Sequence, residues 1–555
     1  MTTRLAIVGT GPTGIYCFAK LIEVADPLEI YLFERGDHAG IGMPYSPEMA
    51  TKAMLANIAS IEIPPLTQSY LDWLLSLSPR VLRGYGLDPE DLHERSFTPR
   101  LLLGEYYRAQ LLQLIERARA KGHRIEVVEA TEVTDLQIQA TGISLETSGK
   151  AAPSQPFDHV ILATGHDFPD ADEATESYFP SPWSGLIDAE IPATTVGVMG
   201  TSLSSIDAVM AVANQHGTFR RGRGEELTFE LEDPGLKMTM MSWTGIIPEA
   251  DFYCPLPYEP LQILTEAAVK DLAAKGGGFD EAFALFKAEL AAADPDYAAR
   301  IGLDALDPEG FSEAYFADRA KSNPFLWARK NLDEVERNKA EKRTVAWRYT
   351  ILRAHEVMEE LYADLGDDDR EVFDKTLKKV FVDNYGAIPS ESIRRLLALR
   401  DAGVLDVLAL GYDYEFETDK DTTVITPKGK RYEYDVFIDA RGQRALTAEN
   451  MPFPSLRAAL LKSGAEVPEV DEFYRLTEAG GFTGKVSMGA LPYLMHDQPF
   501  VQGITAAAEI GAAMAKDVRN EVSARRRRPS LAYQRPELHS RVKRGQAAET
   551  VVTGQ

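Results

Sequence analysis

Cysteine is nearly absent from this sequence. Its 555 residues include only Cys17 and Cys254, and these two do not form a CxxC pair. Neither a disulfide framework nor the redox-active dithiol of a disulfide reductase is therefore predicted. Cys17 falls in an apolar segment that we predict to be a helix, where a thiol is expected to serve as a small core residue.

Positive charge and long apolar runs are also scarce. Lys and Arg number 59 against 85 Asp and Glu, and the resulting net charge of −26 disfavours broad contact with nucleic acid or an anionic membrane. No run reaches the roughly 18 apolar residues that a membrane span needs, and no signal peptide precedes the first strand. We expect a cytoplasmic protein that acts on a small molecule, with no nucleic-acid or membrane partner and an oligomeric state that the sequence leaves open.

Motifs for metal binding and for a serine nucleophile are missing as well. The sequence has nine histidines but no HxxxH or Cys–His spacing, so we predict no metal site. A GxSxG nucleophile elbow is absent too. His166 follows the segment VILATG, where its simplest role is to cap a strand.

The N-terminal segment carries a dinucleotide-binding pattern. RLAIVGTGPTGIYCFAKLIE followed by IYLFER predicts a strand, a glycine turn, a helix and a second strand. Gly9 allows a tight turn, Gly11 lets the backbone approach a pyrophosphate, and Gly14 lets the helix pack closely on the sheet. Glu34 ends the second strand, where a carboxylate can bind an unphosphorylated adenosine ribose, as in FAD or NAD. The amino end of the helix attracts the phosphates.

A second unit of the same kind begins near residue 195. TTVGVMGTSLSSIDAVMAVANQHG and KMTMMSW predict another strand, turn, helix and strand, with serine in place of the middle glycine. Trp243 stands where a basic residue would select the 2′-phosphate of NADPH, and the cluster Arg220, Arg221 and Arg223 is a possible substitute. The choice between NADPH and NADH stays open, as does a purely structural second unit. The residues of this predicted turn are Gly200, Thr201, Ser202, Leu203 and Ser204.

Apolar spacing along the chain predicts an α/β fold with two Rossmann-like dinucleotide-binding domains and a helical insertion. Thr98 is predicted to cap a helix that has Pro99 at its first turn and stops at Gly122. Small residues end two further apolar strands, at ATG and at DARG. The predicted domains are residues 1–190 with 435–520, residues 191–258 with 401–434, the helical insertion 259–400, and a flexible basic tail 521–555.

Together these landmarks resemble the FAD/NAD(P)-binding family of flavoproteins with two dinucleotide-binding domains, related to amino-acid N-hydroxylating flavin monooxygenases. The resemblance rests on IVGTGPTG, FER, GIGMPY, LANIAS, FTPR, VILATGH, VMGTSLSSID, FIDARG and SMGAL, and it spans most of residues 4–515. It implies FAD in the first domain and NADPH or NADH in the second. The serine in the second turn, the missing basic residue and the arginine of DARG depart from the family pattern.

The resemblance also implies which residues hold FAD. The pyrophosphate and ribose would lie against the opening turn, the adenine against the backbone of Val133, and the isoalloxazine along the GIGMPY loop and Asn57. The implied FAD-binding residues are Gly9, Gly11, Pro12, Thr13, Gly14, Glu34, Arg35, Gly42, Met43, Pro44, Tyr45, Asn57, Val133, Thr164, Gly165, Gly489, Gln502 and Gly503.

By the same resemblance, the predicted activity is that of an FAD-dependent, NAD(P)H-using monooxygenase. It would use molecular oxygen to hydroxylate the amine of a small amino-acid-like metabolite. The alternatives are a flavin dehydrogenase or oxidase that does not use a nicotinamide, and a non-catalytic flavin-binding redox sensor. No catalytic residue is identified, because such chemistry needs few protein acids or bases. Arg100, Arg441 and Arg444 are candidates to clamp a substrate carboxylate, with structural ion pairs as the alternative.

Overall fold

The structure, a computed structural model, describes residues 2–222 and 226–527, except for the side chains of 523–527. Arg223 and most of the predicted tail 521–555 lie outside the described residues. The strands are β1 (Thr3–Val8), β2 (Leu28–Phe33), β3 (Arg124–Val128), β4 (Glu132–Gln139), β5 (Gly142–Ser148), β6 (His159–Leu162), β7 (Tyr178–Phe179), β8 (Thr195–Met199), β9 (Gly217–Arg221), β10 (Leu227–Leu231), β11 (Lys237–Ser242), β12 (Leu405–Ala409), β13 (Tyr414–Thr418), β14 (Thr423–Pro427), β15 (Tyr432–Tyr434), β16 (Val436–Asp439) and β17 (Val486–Met488).

The helices are concentrated in the middle of the chain. They are α1 (Pro12–Leu21), α2 (Tyr70–Ser76), α3 (Pro79–Gly84), α4 (Arg100–Ala120), α5 (Leu203–Ala213), α6 (Glu266–Ala274), α7 (Phe279–Ala293), α8 (Pro295–Ile301), α9 (Pro308–Ala320), α10 (Pro324–Glu341), α11 (Ala346–Tyr362), α12 (Asp367–Lys375), α13 (Leu377–Tyr385), α14 (Ser390–Asp401), α15 (Pro454–Ser463), α16 (Leu491–Leu494) and α17 (Gly503–Arg527). Short 3₁₀ helices occur at Met43–Tyr45, Ser60–Glu62, Pro89–Asp91, Ala171–Glu173, Leu303–Ala305, Ala448–Asn450 and Gly480–Phe482.

The first sheet is parallel and has the strand order β17-β6-β1-β2-β3. Residues 5–8 of β1 are apolar and buried without alternation, which is the pattern of a strand covered on both faces. Helices α1 and α17 pack closely against each other, and a Cβ on Gly511 would lie only 2.7 Å from the Cys17 nitrogen. Cys17 is fully buried there, which confirms its predicted place in the core.

The second sheet is also parallel, with the strand order β12-β11-β8-β16-β7. It carries α5 after β8, as the second strand–turn–helix pattern predicts. A small antiparallel sheet of β13, β14 and β15 follows β12. Strands β9 and β10 form a separate hairpin.

Two segments lie in a different sheet from the predicted one. The predicted first domain comprises residues 1–190 with 435–520, but β16 pairs with β8 and β7 pairs with β16, both in the second sheet. A short buried apolar strand fits either sheet equally well, because strand preference reflects packing context rather than the strand's own residues. The remaining domain division stays a prediction.

The helices α6–α13 form a body inserted between β11 and β12, which are neighbours in the second sheet. Most of this body has a core of its own that is rich in buried phenylalanine, including Phe286, Phe311 and Phe381. Helix α10 instead packs into the core of the second unit. Its two ends meet, because Ile388 N–H donates to the Glu249 carbonyl at 2.9 Å and Asp251 N–H donates to the Ile388 carbonyl at 2.7 Å. The insertion therefore leaves the second unit and returns to it at one place.

The predicted cap of α4 is wrong. The helix begins at Arg100, and Thr98 does not cap it. The Thr98 hydroxyl is instead hydrogen-bonded to the buried Tyr70 hydroxyl at 2.6 Å. A buried phenol needs a hydrogen-bond partner. The Thr98 hydroxyl is that partner, so it does not cap the helix. Gly122 does follow the end of α4, with a φ of 91°.

In the part of the chain that the structure describes, no helix combines the length and apolar character needed to cross a bilayer.

Candidate functional site

The opening glycine turn lies at the carboxyl end of β1, between β1 and α1. Gly9 has a φ of 96°, and a Cβ there would stand 2.2 Å from the Ala163 carbonyl oxygen at the end of β6. Only glycine fits this crossing of two backbones. The turn and the ATG segment are thereby brought together at one edge of the sheet, where open α/β sheets bind their ligands.

The amino end of α1 faces this edge. Among the residues that the structure describes, no side chain caps this end, where Gly11 occupies the cap position. A Cβ on Gly11 would meet only the Gly42 Cα, at 3.4 Å. The GIGMPY loop thus lies over the turn, while the backbone of Gly11 stays open. An uncapped helix end with open glycine backbone fits a diphosphate.

Glu34 is held beside the same turn. Thr10 donates to its Oε2 from N–H at 3.3 Å and from Oγ1 at 2.6 Å, and Gly36 N–H donates to its Oε1 at 2.9 Å. The carboxylate is thereby fixed at the end of β2, and Arg35 beside it is exposed. Val133 is buried in β4. The ribose role of Glu34 and the adenine role of Val133 stay predictions.

The last predicted FAD-binding residues approach the turn from the far end of the chain. A Cβ on Gly489 would lie 3.1 Å from Thr13 Cγ2, and Gly489 N–H donates to the Leu162 carbonyl at 2.7 Å. Gly503 begins α17, the helix that packs on α1. The structure therefore brings residues from both ends of the chain to one edge of the first sheet.

Two buried polar atoms near the predicted flavin segments lack partners. Within the described residues, Asn57 Oδ1 and His166 Nδ1 have no hydrogen bond. Burial lowers the pKa of His166, and the Gln443 side chain opposes that shift. Unpaired buried polar groups are rare unless a ligand or water satisfies them. Together with the open Gly11, they fit an FAD bound along this edge.

The second turn repeats this geometry at the carboxyl end of β8. Gly200 has a φ of 123°, and a Cβ there would meet the Ser205 hydroxyl at 2.3 Å. Ser202 holds the cap position of α5 without a side-chain cap bond in the described structure, and Ser205 Oγ is buried there without a partner. Thr201 Oγ1 donates to the Ile246 carbonyl at 2.6 Å, which fixes the turn against the end of β11. Leu203 and Ser204 open the helix.

The predicted basic substitute for NADPH selection is already paired. Arg220 bonds to Glu230 at 3.0 Å and Arg221 bonds to Glu391 at 2.7 Å. Arg223, the third member, lies outside the described residues. The pairing reduces the charge that this cluster can offer a phosphate.

The three candidate clamp arginines have different surroundings. Arg100 binds Asp207 of α5 at 2.7 Å, with both side chains largely buried. Arg441 forms a bidentate pair with Asp439, through Nε at 2.9 Å and Nη2 at 2.6 Å. Arg444 is exposed and has no ion pair with any residue that the structure describes. The first two are engaged as structural pairs, which leaves Arg444 as the candidate clamp.

Two contacts of this region had no signal in the sequence. Asp207 and its partner Arg100 end the motifs VMGTSLSSID and FTPR, but nothing in either motif indicates that the two residues pair. Tyr385, at the end of α13, accepts a hydrogen bond from Gln502 Nε2, so the helical insertion touches the segment that starts α17. Long-range partners such as these follow from the fold, and spacing alone cannot reveal them.

Comparison with known proteins agrees with this geometry. The family model described as FAD-NAD(P)-binding matches residues 6–167, and the one described as YdhS-like middle domain matches residues 265–385. The chain is 52% identical over 532 residues to the uncharacterized protein YdhS of Escherichia coli (strain K12), covering 95% of this chain and 99% of that protein.

Solved structures show the same fold. The ornithine N-hydroxylase KtzI of Kutzneria sp. 744, in the form KtzI-FADred-NADP+-L-orn, has a TM-score of 0.50 at 14% identity and covers 94% of this chain and 100% of its own. The ornithine hydroxylase PvdA of Pseudomonas aeruginosa has a TM-score of 0.48 at 10% identity, with the same coverage. The predicted α/β fold class is confirmed, the resemblance to N-hydroxylating flavoproteins is confirmed as a likeness in fold, and the family model confirms the FAD and NAD(P) cofactor class. The chain is therefore a member of the YdhS family, with an FAD-NAD(P)-binding domain at residues 6–167 and a YdhS-like middle domain at residues 265–385.

Proposed function

We propose that this protein is an FAD-dependent monooxygenase that uses NAD(P)H to hydroxylate the amine of a small amino-acid-like metabolite. The balanced reaction takes the amine, oxygen, NAD(P)H and a proton to the hydroxylamine, NAD(P)⁺ and water. One oxygen atom enters the new N–O bond and the other leaves in water. The chemistry that FAD supplies when bound is the transfer of two electrons from the nicotinamide to oxygen.

The observation that carries the proposal is the pair of glycine turns. Gly9 and Gly200 each follow the first strand of a parallel unit, and each precedes a helix whose amino end no side chain caps within the described structure. One such turn suffices for a flavin that receives electrons from its substrate. A second turn with the same geometry supports a nicotinamide dinucleotide as the electron donor.

The residues of this chain would bind, orient and shield the reacting groups. The amino end of α1 and the Gly11 backbone would hold the FAD diphosphate. The Glu34 carboxylate would accept a hydrogen bond from a ribose hydroxyl. The loop at Gly42 would exclude water from that side. Arg444, which is exposed beside the DARG segment, would bind the substrate carboxylate.

The first experiment is a visible spectrum of the purified protein, followed by anaerobic mixing with NADH and with NADPH separately. Bleaching of the flavin by either nucleotide, and then a hydroxylated amine product detected by mass spectrometry on admission of oxygen, is the expected result. Reduction by an amine substrate without nicotinamide would indicate an oxidase or dehydrogenase instead. A flavin that neither donor reduces would indicate a redox sensor.

A further inference from the structure

Two large aromatic side chains stand exposed at the carboxyl edge of the second sheet. Trp243 directly follows β11 and Tyr412 follows β12, and their exposed fractions are 55% and 76%. Their ring centroids lie 5.4 Å apart. Gly411 N–H donates to the Trp243 carbonyl at 3.0 Å, so the backbone holds the two rings together. We name these two residues the aromatic pair.

The aromatic pair lies next to the second glycine turn. Gly200 N–H donates to the Met241 carbonyl at 2.6 Å, two residues before Trp243, and the Ser242 hydroxyl is hydrogen-bonded to Thr201 Oγ1 at 3.1 Å. In doubly wound sheets, the diphosphate lies on the turn after the first strand and the adenosine lies beyond the end of the neighbouring strand. A dinucleotide bound on the second glycine turn would therefore have its adenosine end at the aromatic pair.

A basic turn lies beside the aromatic pair. Antiparallel pairing of β13 with β14 places Tyr414 opposite Pro427, which brings the residue after β14, Lys428, next to the segment before β13. A Cβ on Gly411 would lie 3.6 Å from Lys428 Cε. The sequence KGKR puts Lys428, Lys430 and Arg431 in this turn, in a chain whose net charge is −26.

Among the three basic residues of this turn, Lys428 alone has no charged or aromatic partner in the part of the chain that the structure describes. Arg431 is paired with Glu433 at 3.2 Å, and Lys430 lies over the Tyr432 ring at 4.7 Å. Lys428 is exposed and forms no ion pair within the ranges that the structure describes. Residues 242–245, by contrast, contain neither an acid for a free ribose hydroxyl nor a base for a phosphate.

We propose that Trp243 and Tyr412 stack on the adenine of the nicotinamide dinucleotide and that Lys428 binds its 2′-phosphate, so that the protein selects NADPH over NADH. The inference rests on the proposed use of a nicotinamide donor. It explains why the segment after β11 lacks the expected arginine, because the cation comes from the neighbouring small sheet. Base stacking on aromatic side chains and a lysine as a point charge for phosphate are both common in nucleotide recognition.

The test measures binding of two fragments to the full-length protein by isothermal titration calorimetry, without catalysis. The probes are adenosine 2′,5′-bisphosphate and 5′-ADP, which differ in the 2′-phosphate. The wild type is expected to bind the bisphosphate about tenfold more tightly. Trp243→Ala and Tyr412→Ala should each weaken the binding of both probes by about tenfold. Trp243→Phe should keep most of the affinity that Trp243→Ala loses. Lys428→Ala should abolish the preference and leave 5′-ADP binding unchanged.

Lys420→Ala is the matched control, because Lys420 is exposed in the other turn of the same small sheet. It should change neither affinity. The inference would be overturned if the wild type bound 5′-ADP as tightly as the bisphosphate or more tightly. It would also be overturned if Trp243→Ala, Tyr412→Ala and Lys428→Ala all bound both probes with the affinities of the wild type. If NADPH bleaches the flavin while these variants bind normally, the proposed function stands and this site is wrong. If the site binds as expected but neither nucleotide reduces the flavin, the site stands and the proposed function is wrong.

Discussion

Arg100 and Asp207 form a largely buried ion pair that joins the two dinucleotide-binding units. Arg100 is the first residue of α4, Asp207 lies on α5, and their Nη2 and Oδ2 atoms are 2.7 Å apart. Arg100 Nη2 also donates to the Leu55 carbonyl at 3.1 Å. Burial raises the pKa of Asp207, and the adjacent guanidinium opposes that rise. The pair therefore fixes the position of α5, whose amino end carries the second glycine turn.

Removing one partner of this pair should destabilise the protein strongly. In Asp207→Ala the guanidinium of Arg100 loses its carboxylate in a place with little solvent, and the expected loss is about 3–5 kcal/mol of unfolding free energy. Urea unfolding followed by tryptophan fluorescence measures it. The double variant Arg100→Met with Asp207→Leu serves as the control and should recover most of the stability. A single variant as stable as the wild type would show that water reaches the pair.

Changing either of the first two glycines of the opening turn to alanine should impair the protein, one change through its stability and the other through its FAD affinity. Gly9→Ala forces a Cβ onto the Ala163 carbonyl at a positive φ, so the protein should lose stability or fail to fold. Gly11→Ala meets only the Gly42 Cα at 3.4 Å, so it should fold normally. Its methyl group would occupy the path of the diphosphate, and FAD affinity should fall by at least about tenfold. Thermal unfolding and flavin fluorescence separate the two effects, and normal FAD retention in Gly11→Ala would contradict the diphosphate position.

Glu34 should matter for FAD beyond its contact with Thr10. Glu34→Arg is expected to weaken FAD binding by about 1–3 kcal/mol, because a hydrogen-bond acceptor is lost at the ribose. Thr10→Val is the control, since it removes two hydrogen bonds within the protein, the 2.6 Å bond to Glu34 and the 2.9 Å bond from Gly40 N–H, and leaves the carboxylate in place. It should weaken FAD binding much less. Equal FAD dissociation constants for the wild type and Glu34→Arg would refute the ribose role.

Glu359 should make stability depend on pH in the opposite sense to an ordinary carboxylate. Burial raises its pKa from 4.5 to about 7, and the nearby Glu509 and Glu356 add to the rise. Between these values the folded protein binds a proton that the unfolded chain has released, so stability falls as the pH rises. Relative to Glu359→Gln, the wild type should lose about 3 kcal/mol of unfolding free energy between pH 4.5 and pH 8. Urea unfolding at several pH values measures the difference.

The glutamine variant can still accept the hydrogen bond that Phe500 N–H donates to Glu359 at 3.0 Å, so it keeps the local structure. Glu341→Gln is the control, because Glu341 is exposed on the same insertion. It should leave the pH dependence of the wild type unchanged. Parallel stability curves for the wild type and Glu359→Gln would mean that the carboxyl titrates in the ordinary range.

The local geometry of the glycine turns could be predicted because the cause is local. Gly9 and Gly200 adopt positive φ values next to another backbone, and only glycine tolerates that combination. The glycines in the sequence therefore indicate the backbone conformation of both turns. The parallel strands could be predicted for a similar reason, since a continuous apolar run such as residues 5–8 must be buried on both faces.

The contacts that join distant segments could not be predicted in this way. Thr98 has the right position to cap α4, but the Tyr70 hydroxyl, reached only in the folded protein, binds it instead. Strand β16 has the same apolar character as strands of the first sheet and yet pairs with β8. Arg100 and Arg441 lie beside cofactor motifs in the sequence, but each is paired with a carboxylate in the folded protein, so neither charge is free to bind a substrate carboxylate.

The hydrogen bond between Asp251 and Ile388 joins the two ends of the helical insertion, and it bears on how the insertion can vary. The inserted helices begin and end at one place on the second sheet, so changes within them need not disturb its strand pairings, provided that α10 keeps its apolar residues in the core of the second unit. Tyr385 of the insertion touches the start of α17, so a change in the inserted helices can also alter the surroundings of the segment at Gly503.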